Sequence, residues 1–356
     1  MAEAATKPCP NCGEGVFEGE DFCEACGHAL SEKAVAARAH AIARADASGM
    51  SRPVTRRTDP VKPKRPCTGC GATSIDADGY CEECGLRQPA DRDHIEIELP
   101  ERVAAGASDR GKRYPRNEDA LALSTHPSGV AAVVCDGVGS SPRPDEASLA
   151  AAQTGVAELL AGLEAGADPE TATHKAVLKA AEAVAALAES PHEAPSCTYV
   201  SAVTTPGSIT IGWVGDSRAY WLANGANEAS AQLSVDDSWA AFMVAEGALT
   251  EAEAEAHPNA HVITAWLGAD ADEVRPSVAT FTPSGPGTVV VCSDGLWNYA
   301  GAPADLTAVL AAASSDPAAD PLGAARTLVQ HALDSGGRDN ISVALIPVTP
   351  NMESPS

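Results

Sequence analysis

The sequence predicts an α+β fold in which antiparallel sheets are covered by helices, preceded by two short cysteine-rich units. Three observations lead there. Runs of β-favouring residues come in pairs joined by short turns, and these pairs bracket two long Ala/Leu/Val stretches of helical character. Connections that short suit hairpins rather than the crossovers of a doubly wound parallel sheet. A spacing of C-x2-C-x10-C-x2-C occurs twice, at Cys9, Cys12, Cys23 and Cys26 and again at Cys67, Cys70, Cys81 and Cys84. Finally, acidic residues stand at the ends of apolar runs: Asp136-Gly137 after Val133-Val134-Cys135, Asp294-Gly295 after Val289 to Ser293, and Asp339-Asn340 before Ile341. Carboxylates so far apart in sequence can meet only if the fold gathers those strand ends.

Length and charge set the bounds. At 356 residues the chain has room for one large core beside smaller units. With 44% hydrophobic but only 4% aromatic residues, that core must be built mainly from Ala, Val and Leu. A formal net charge of -25 repels phosphate polymers and argues against broad nucleic-acid binding, though not against a local basic patch. No run approaches the roughly 18 apolar residues of a membrane span, and residues 1–7 lack a signal-peptide core. A cytoplasmic protein without a membrane partner is expected. Thiols stay reduced in that compartment, so cysteines in spaced pairs point to metal rather than to disulfides.

In the cysteine units, each pair is followed by glycine (Gly13, Gly27, Gly71, Gly85). A C-x2-C-G turn folds backbone N–H groups towards sulfur, and two such turns make a tetrahedral site suited to Zn²⁺. Units this short cannot bury a core alone, so the metal supplies most of their folding free energy, about 10–16 kcal/mol per site. Residues 5–30 and 67–90 thus resemble a double zinc ribbon holding two structural zinc ions. Their low density of Lys and Arg favours protein docking. Between them, residues 31–66 hold an Ala-rich stretch, weakly helical with Val35 and Ile42 its only large aliphatics, and then a basic, Pro-rich extended linker.

The large domain is expected over residues 94–349. It opens on His94-Ile95-Glu96-Ile97-Glu98-Leu99, which alternates as a half-buried strand should. A charged loop, 111–119, leads to a strand at 120–124. Its Arg113 and Arg116 are candidates to grip phosphate, because guanidinium matches phosphate oxygens bidentately. Helices are expected at 145–166 and 169–189, strands at 196–203, 208–214 and 219–222, and a polar, helix-leaning insertion at 236–257 with Thr250 and Glu253 spaced as a capping box. A helix from about 304 to 333, interrupted near Asp316-Pro317, precedes the last strand, and the tail 350–356 is expected to be disordered. Cys135, Cys197 and Cys292 sit in apolar runs without the arginine-rich loop of a cysteine nucleophile, and read as buried small hydrophobes.

Singly, each Asp-Gly or Asp-Asn is a common turn. Together they form an ordered set: Arg116-Asn117-Glu118-Asp119-Ala120, Asp136-Gly137-Val138-Gly139, Gly215-Asp216-Ser217-Arg218-Ala219-Tyr220, His261 to Gly268, Ser293-Asp294-Gly295-Leu296 and Gly337-Arg338-Asp339-Asn340-Ile341-Ser342. With these motifs, over roughly 110–346, the chain resembles the bacterial branch of the metal-dependent protein phosphatase 2C, or PPM, family. The resemblance implies a four-layer α/β/β/α sandwich of two antiparallel sheets with a two-metal site in the cleft between them. It makes Asp136 the residue bridging both ions, gives the second ion the Gly137 carbonyl, and gives the first Asp294 and Asp339. Glu118 and Asp119 match positions that bind mainly through metal waters, Asp216 helps Asp294 hold a looser third ion, and Asn340 supports Asp339. An all-oxygen donor set suits Mn²⁺ or Mg²⁺, and two such ions about 3.5–4 Å apart make hydroxide available near neutral pH for in-line attack on phosphorus.

Three departures from the family pattern stand out. Tyr114 fills the place of the usual phosphate-binding arginine, leaving Arg113 or Arg116 for that role. Val138-Gly139-Ser140-Ser141 replaces Met-Gly-Gly, with no histidine to protonate the leaving oxygen. Ser196-Cys197-Thr198 replaces Gly-Thr-Thr. Every expected metal-binding aspartate is kept, so the expectation is a Ser/Thr protein phosphatase acting on phosphorylated proteins. Its insertion at 236–259 would serve substrate selection, and its ribbons would bring it to a kinase or a kinase substrate. Two alternatives stay open: a metal-loaded sensor without turnover whose ribbons bind nucleic acid or a protein, and a phosphatase dedicated to one phosphoserine partner.

Overall fold

In the N-terminal part of the chain, β1 (Thr6–Pro8) and β2 (Gly15–Phe17) pair antiparallel. The computed structural model describes residues 6–8, 15–17, 66–76, 79–190, 193–225 and 228–349. The first cysteine set, the Ala-rich stretch, the linker 51–65 and the tail 350–356 lie outside the described residues. The chain divides into two units, Met1–Ala90 with Arg113–Pro115, and Asp91–Lys112 with Arg116–Ser356. Among the described residues, no helix is long and apolar enough to cross a membrane.

The second unit runs through β3 (His94–Glu98), β4 (Ala105–Asp109), β5 (Ala120–His126) and β6 (Gly129–Cys135) into helices α1 (Pro144–Glu164) and α2 (Pro169–Ala185). Strands β7 (Ser196–Cys197), β8 (Tyr199–Thr205), β9 (Ser208–Val214), β10 (Arg218–Ala223) and β11 (Ala231–Gln232) follow, then short helices α3 (Trp239–Ala245) and α4 (Glu251–Glu255). The chain closes with β12 (Leu267–Gly268), β13 (Ser277–Phe281), β14 (Gly287–Cys292), α5 (Asp294–Trp297), α6 (Pro303–Ala312), α7 (Pro321–Asp334) and β15 (Ile341–Val348). One sheet has six strands in the order β11-β10-β14-β15-β4-β3, and the other five in the order β13-β9-β8-β6-β5. Neighbouring strands in both are antiparallel.

Why the central strands read as continuous apolar runs is explained by burial of both their faces. On β6, Ala132 and Val134 pack between the sheets against Val200, Ile211, Val289 and Trp221, while Val133 and Cys135 turn outward to α1 and α2. On β14, Val289 and Val291 face inward and Val290 meets α6 and α7 through Leu306 and Leu328. This is the four-layer α/β/β/α sandwich, with one core between the sheets and one beneath each helical layer. Each fully buried Val or Leu contributes roughly 1.5–3 kcal/mol of transfer free energy.

Two departures from the sequence reading have physical causes in strand pairing. The run 196–203 is split at Thr198: β7 leaves to pair with β12, and the Thr198 backbone N–H donates instead to the Asp136 carbonyl at 2.8 Å. Strand β4 has no counterpart in the sequence reading because Ala-Gly-Ala-Ser-Asp carries neither β-branched nor aromatic residues. It lies buried between β15 and β3, where a Cβ on Gly106 would stand 3.0 Å from the Val343 carbonyl oxygen.

Candidate metal centres and active site

Strand register brings the acidic motifs together. Ala120, the first residue of β5, pairs with Cys135, the last of β6, so Glu118-Asp119 and Asp136-Gly137 leave that pair at the same end. In the other sheet Cys292 closes β14 opposite Arg218, the first residue of β10, and opposite Val343 near the start of β15. Asp294, Asp216 and Asp339 therefore flank one end of that sheet. The carboxylates feel one another: Asp136 is raised well above the ordinary range by burial and then by the charges of Asp119, Asp294, Asp339 and Asp216. Burial followed by Asp339 and Asp216 does the same to Asp294. Asp119, fully buried, is pushed up to about 7 by burial, as are Glu118 and Asp216. Burial also raises Asp339, against the backbone N–H of Asn340 that donates to its Oδ1 at 2.8 Å.

Such a cluster needs a counter-charge, and its donors suit a hard cation. Oδ1 of Asp119 and Oδ1 of Asp294 are buried without a hydrogen-bond partner, an expensive state unless something else binds them. The other oxygen of Asp119 accepts from Ser293 Oγ at 2.7 Å, which aims the free oxygen. At Gly137 the backbone is closely confined: a Cβ would stand 2.6 Å from the Pro144 carbonyl oxygen and 2.7 Å from that of Glu118. Asn340 fastens the loops, with Oδ1 accepting from the Glu118 N–H at 2.6 Å and Nδ2 donating to the carbonyls of Arg110 and Arg116. All these features fit divalent ions held by oxygen.

Several residues of this support carried no role in the sequence reading. Ser293, Ser342, Ser108 and Asn117 form a buried chain: Ser342 N–H donates to Ser293 Oγ at 3.0 Å, Ser342 and Ser108 hydroxyls meet at 2.6 Å, and Asn117 Nδ2 donates to Ser108 Oγ at 2.8 Å. Hydroxyls inside apolar strands were the available signal, since buried polar groups must find partners. Arg92 donates to the carbonyls of Asp119 and Asp145. Arg218 makes a two-pronged pair with Asp236, at 2.9 and 2.7 Å, while its guanidinium lies 3.8 Å from the ring centre of Trp297. Trp297 in turn donates to the Asp216 carbonyl at 2.9 Å. Of the candidate phosphate-binding arginines, Arg116 is exposed and pairs with Asp145 at 3.4 Å, while Arg113 is exposed and groups with the N-terminal unit. Cys135, Cys197 and Cys292 are completely buried, and burial pushes the thiols of Cys135 and Cys292 up.

The second cysteine set forms a site of its own. Sulfur atoms of Cys67, Cys70, Cys81 and Cys84 all lie within 4.8 Å of one another, and among the described residues no other group of potential ligands closes so tightly. Backbone N–H groups of Gly69 and Cys70 point at Cys67 Sγ at 3.4 and 3.5 Å, and Gln88 Nε2 reaches it at 3.2 Å. The Cys70 N–H leads in lowering the Cys67 thiol to about 6, towards the thiolate that binds metal.

The family model described as protein phosphatase 2C matches residues 105–328, more than half of the chain. The chain belongs to the protein phosphatase 2C family. The double zinc ribbon model matches residues 9–85, so both resemblances read from the motifs are borne out. The serine/threonine protein phosphatase PstP of Mycobacterium tuberculosis is 29% identical over 248 residues, 68% of this chain and 44% of that protein. The chain therefore spans less than half the length of that curated relative. The PPM Ser-Thr phosphatase MsPP from Mycobacterium smegmatis, solved in complex with cacodylate, is 30% identical with a TM-score of 0.55, over 70% of this chain and 99% of that one. The catalytic domain of PstP, solved in complex with two manganese ions, is 25% identical with a TM-score of 0.51, over 69% and 97%. Against this family background, the oxygen cluster at the sheet ends is the candidate active site and the cysteine cluster a separate candidate zinc site.

Proposed function

We propose that this chain hydrolyses phosphoserine and phosphothreonine on proteins with the help of two Mn²⁺ or Mg²⁺ ions, and that its zinc ribbons target or dock it. The observation that carries this is the pair of buried, unpartnered carboxylate oxygens on Asp119 and Asp294 within a set of mutually repelling acids in a 2C-family domain. Asp136 would bridge the ions, with Asp294 and Asp339 on one, the Gly137 carbonyl on the other, Glu118 and Asp119 reaching them through water, and Asp216 with Asp294 offering a third position. When bound, the ions supply Lewis-acid activation of water and neutralise charge on the phosphoryl group.

The protein's own part is positioning. Ser293 and Asn340 fix the directions in which Asp119 and Asp339 present their oxygens. Arg116, exposed and in a long contact with Asp145, can turn to a phosphate; Arg113 is the other candidate. With no histidine in the 136–142 segment, the leaving oxygen would take its proton from water, either free or held at an ion. Zn²⁺ would be held by Cys67, Cys70, Cys81 and Cys84, and by the same spacing at Cys9, Cys12, Cys23 and Cys26. Phosphorylated kinases or their substrates are the partners this reading favours. Release of phosphate from p-nitrophenyl phosphate and from a phosphothreonine peptide, with and without Mn²⁺, tests it. Asp136→Asn is expected to fall to background on both, and equal rates for the two proteins would refute the mechanism.

A further inference from the structure

Beside the acidic cluster lies a pocket of about 300 Å³, lined by Val138, Ser140, Ser141, Ser196, Trp266 and Asp270 among others. That volume is at the small end for ligand sites and admits one long side chain. Its inner wall is continuous with the candidate active site. Val138 follows Gly137 directly, its N–H donates to the Ser196 carbonyl at 2.9 Å, and Gly137 bridges to Cys197. Ser141 is locked there, its Oγ accepting from the Ser196 N–H at 3.2 Å. The outer wall comes from the segment after the short helices α3 and α4. Partly buried Ile263 and Trp266 give it an apolar face, and exposed Asp270 stands at the rim, its Oδ1 accepting from Trp266 Nε1 at 3.0 Å.

Among the described residues, no basic side chain lines the pocket. Arg143, just beyond Pro142, is turned away to the Leu187 carbonyl and to Glu146. An indole face, an aliphatic wall, hydroxyls and one uncompensated rim carboxylate together select a cation on an apolar stem. We propose that this pocket binds a lysine or arginine side chain of the phosphoprotein within about three residues of the phosphorylated serine or threonine. The distance follows from the chain's reach of roughly 3.3–3.6 Å per residue and the adjacency of Val138 to Gly137. This specificity site rests on the phosphatase reading above and goes beyond it. It uses Ser140, Ser141 and Asp270, which no metal-binding role occupies, two of them at a departure from the family pattern.

The test uses the full chain with Mn²⁺ and a set of phosphothreonine peptides carrying Arg, Ala or Glu singly at each of the three positions on either side. Rates of p-nitrophenyl phosphate turnover, a substrate with no flanking residue, serve as the reference for each protein. At one position kcat/KM should favour Arg over Glu by about five- to tenfold, as an exposed ion pair with a cation–π contact allows. Asp270→Asn, which keeps an acceptor for Trp266 Nε1, should bring Arg down to the level of Ala at that position alone, and Asp270→Lys should invert the order. Turnover with a flat positional profile, or an Arg preference that both variants leave intact, would overturn the pocket while the phosphatase reading stands. Absence of Mn²⁺-dependent turnover on every substrate would overturn both.

Discussion

Ser293 has its hydroxyl between two demands: it donates to Asp119 Oδ2 and accepts from the Ser342 N–H. Removing it as Ser293→Ala leaves a fully buried carboxylate oxygen and a strand N–H unpaired, a cost of about 1–3 kcal/mol by the usual penalty for orphaned buried groups. Groups that orient metal ligands also typically change affinity 10–100-fold. Ser293→Ala should therefore lower the urea midpoint and weaken Mn²⁺ activation together; a variant with unchanged Mn²⁺ affinity would leave Ser293 a packing residue only. The signal was readable in part, since a serine at the end of an apolar run, just before Asp294, needs a partner. That the partner is Asp119, 174 residues away, was not. On the edge strand β3 of the same sheet, His94 shares its ring nitrogens between Asp109 at 2.9 Å and Glu96 at 3.1 Å, and its pKa is raised chiefly by the Asp109 hydrogen bond. A histidine raised on folding stabilises fully below its unfolded pKa, near 6.5, and loses that contribution as pH rises through the folded value. The ring is more than half exposed, so the effect is small. His94→Gln should flatten the change in urea midpoint between pH 6 and pH 8 relative to the parent, and an identical slope would remove His94 from the balance.

Among elements, the junction of β10, α5 and the insertion after β11 depends on Arg218. Its side chain and that of Asp236 are 15% and 11% exposed, so the pair is largely desolvated and cannot be treated as a surface ion pair. Losing one partner strands the other's charge, which typically costs 3–5 kcal/mol. Lysine cannot reproduce the planar fork or its stacking on Trp297. Arg218→Ala is expected to destabilise by that order in urea denaturation and Arg218→Lys to recover little of it. Near-complete recovery by lysine would show that net charge alone holds the junction. Elements with strong local signals were legible: the Thr250–Glu253 capping box forms, with Thr250 Oγ1 accepting from the Glu253 N–H. Asp168 also caps α2, accepting from the N–H groups of Glu170 and Thr171, a local signal to which the sequence reading gave no role. Strand β4 and the break at Thr198 escaped because tertiary pairing, not local propensity, decides them.

At the scale of the whole molecule, the sheets gather motifs that are separate in sequence, and no local pattern encodes which ends are neighbours. The pairing of Ala120 with Cys135 and of Arg218 with Cys292 does so, and these follow from the order of strands in each sheet. Recognising the motif order as that of a family supplied this arrangement in advance, where periodicity alone reached only antiparallel sheets under helices. The two proposed kinds of metal site would make opposite demands on the chain. Thiolate ligands in a short unit with little core would make zinc part of folding itself, at about 10–16 kcal/mol per site, so it should be retained under mild chelation. The proposed oxygen ligands sit on a sandwich that has its own hydrophobic core, so ions there should exchange without unfolding. Elemental analysis before and after brief EDTA treatment is expected to find two zinc per chain throughout and manganese or magnesium lost, with Mn²⁺ then raising the melting temperature of the stripped protein by relieving the repulsion among Asp136, Asp294 and Asp339. Cys81→Ser should release one zinc and leave the Mn²⁺-induced rise in place. Zinc that leaves with the manganese, or a Mn²⁺ response that disappears in Cys81→Ser, would mean that the ribbons and the phosphatase domain do not hold their metals independently.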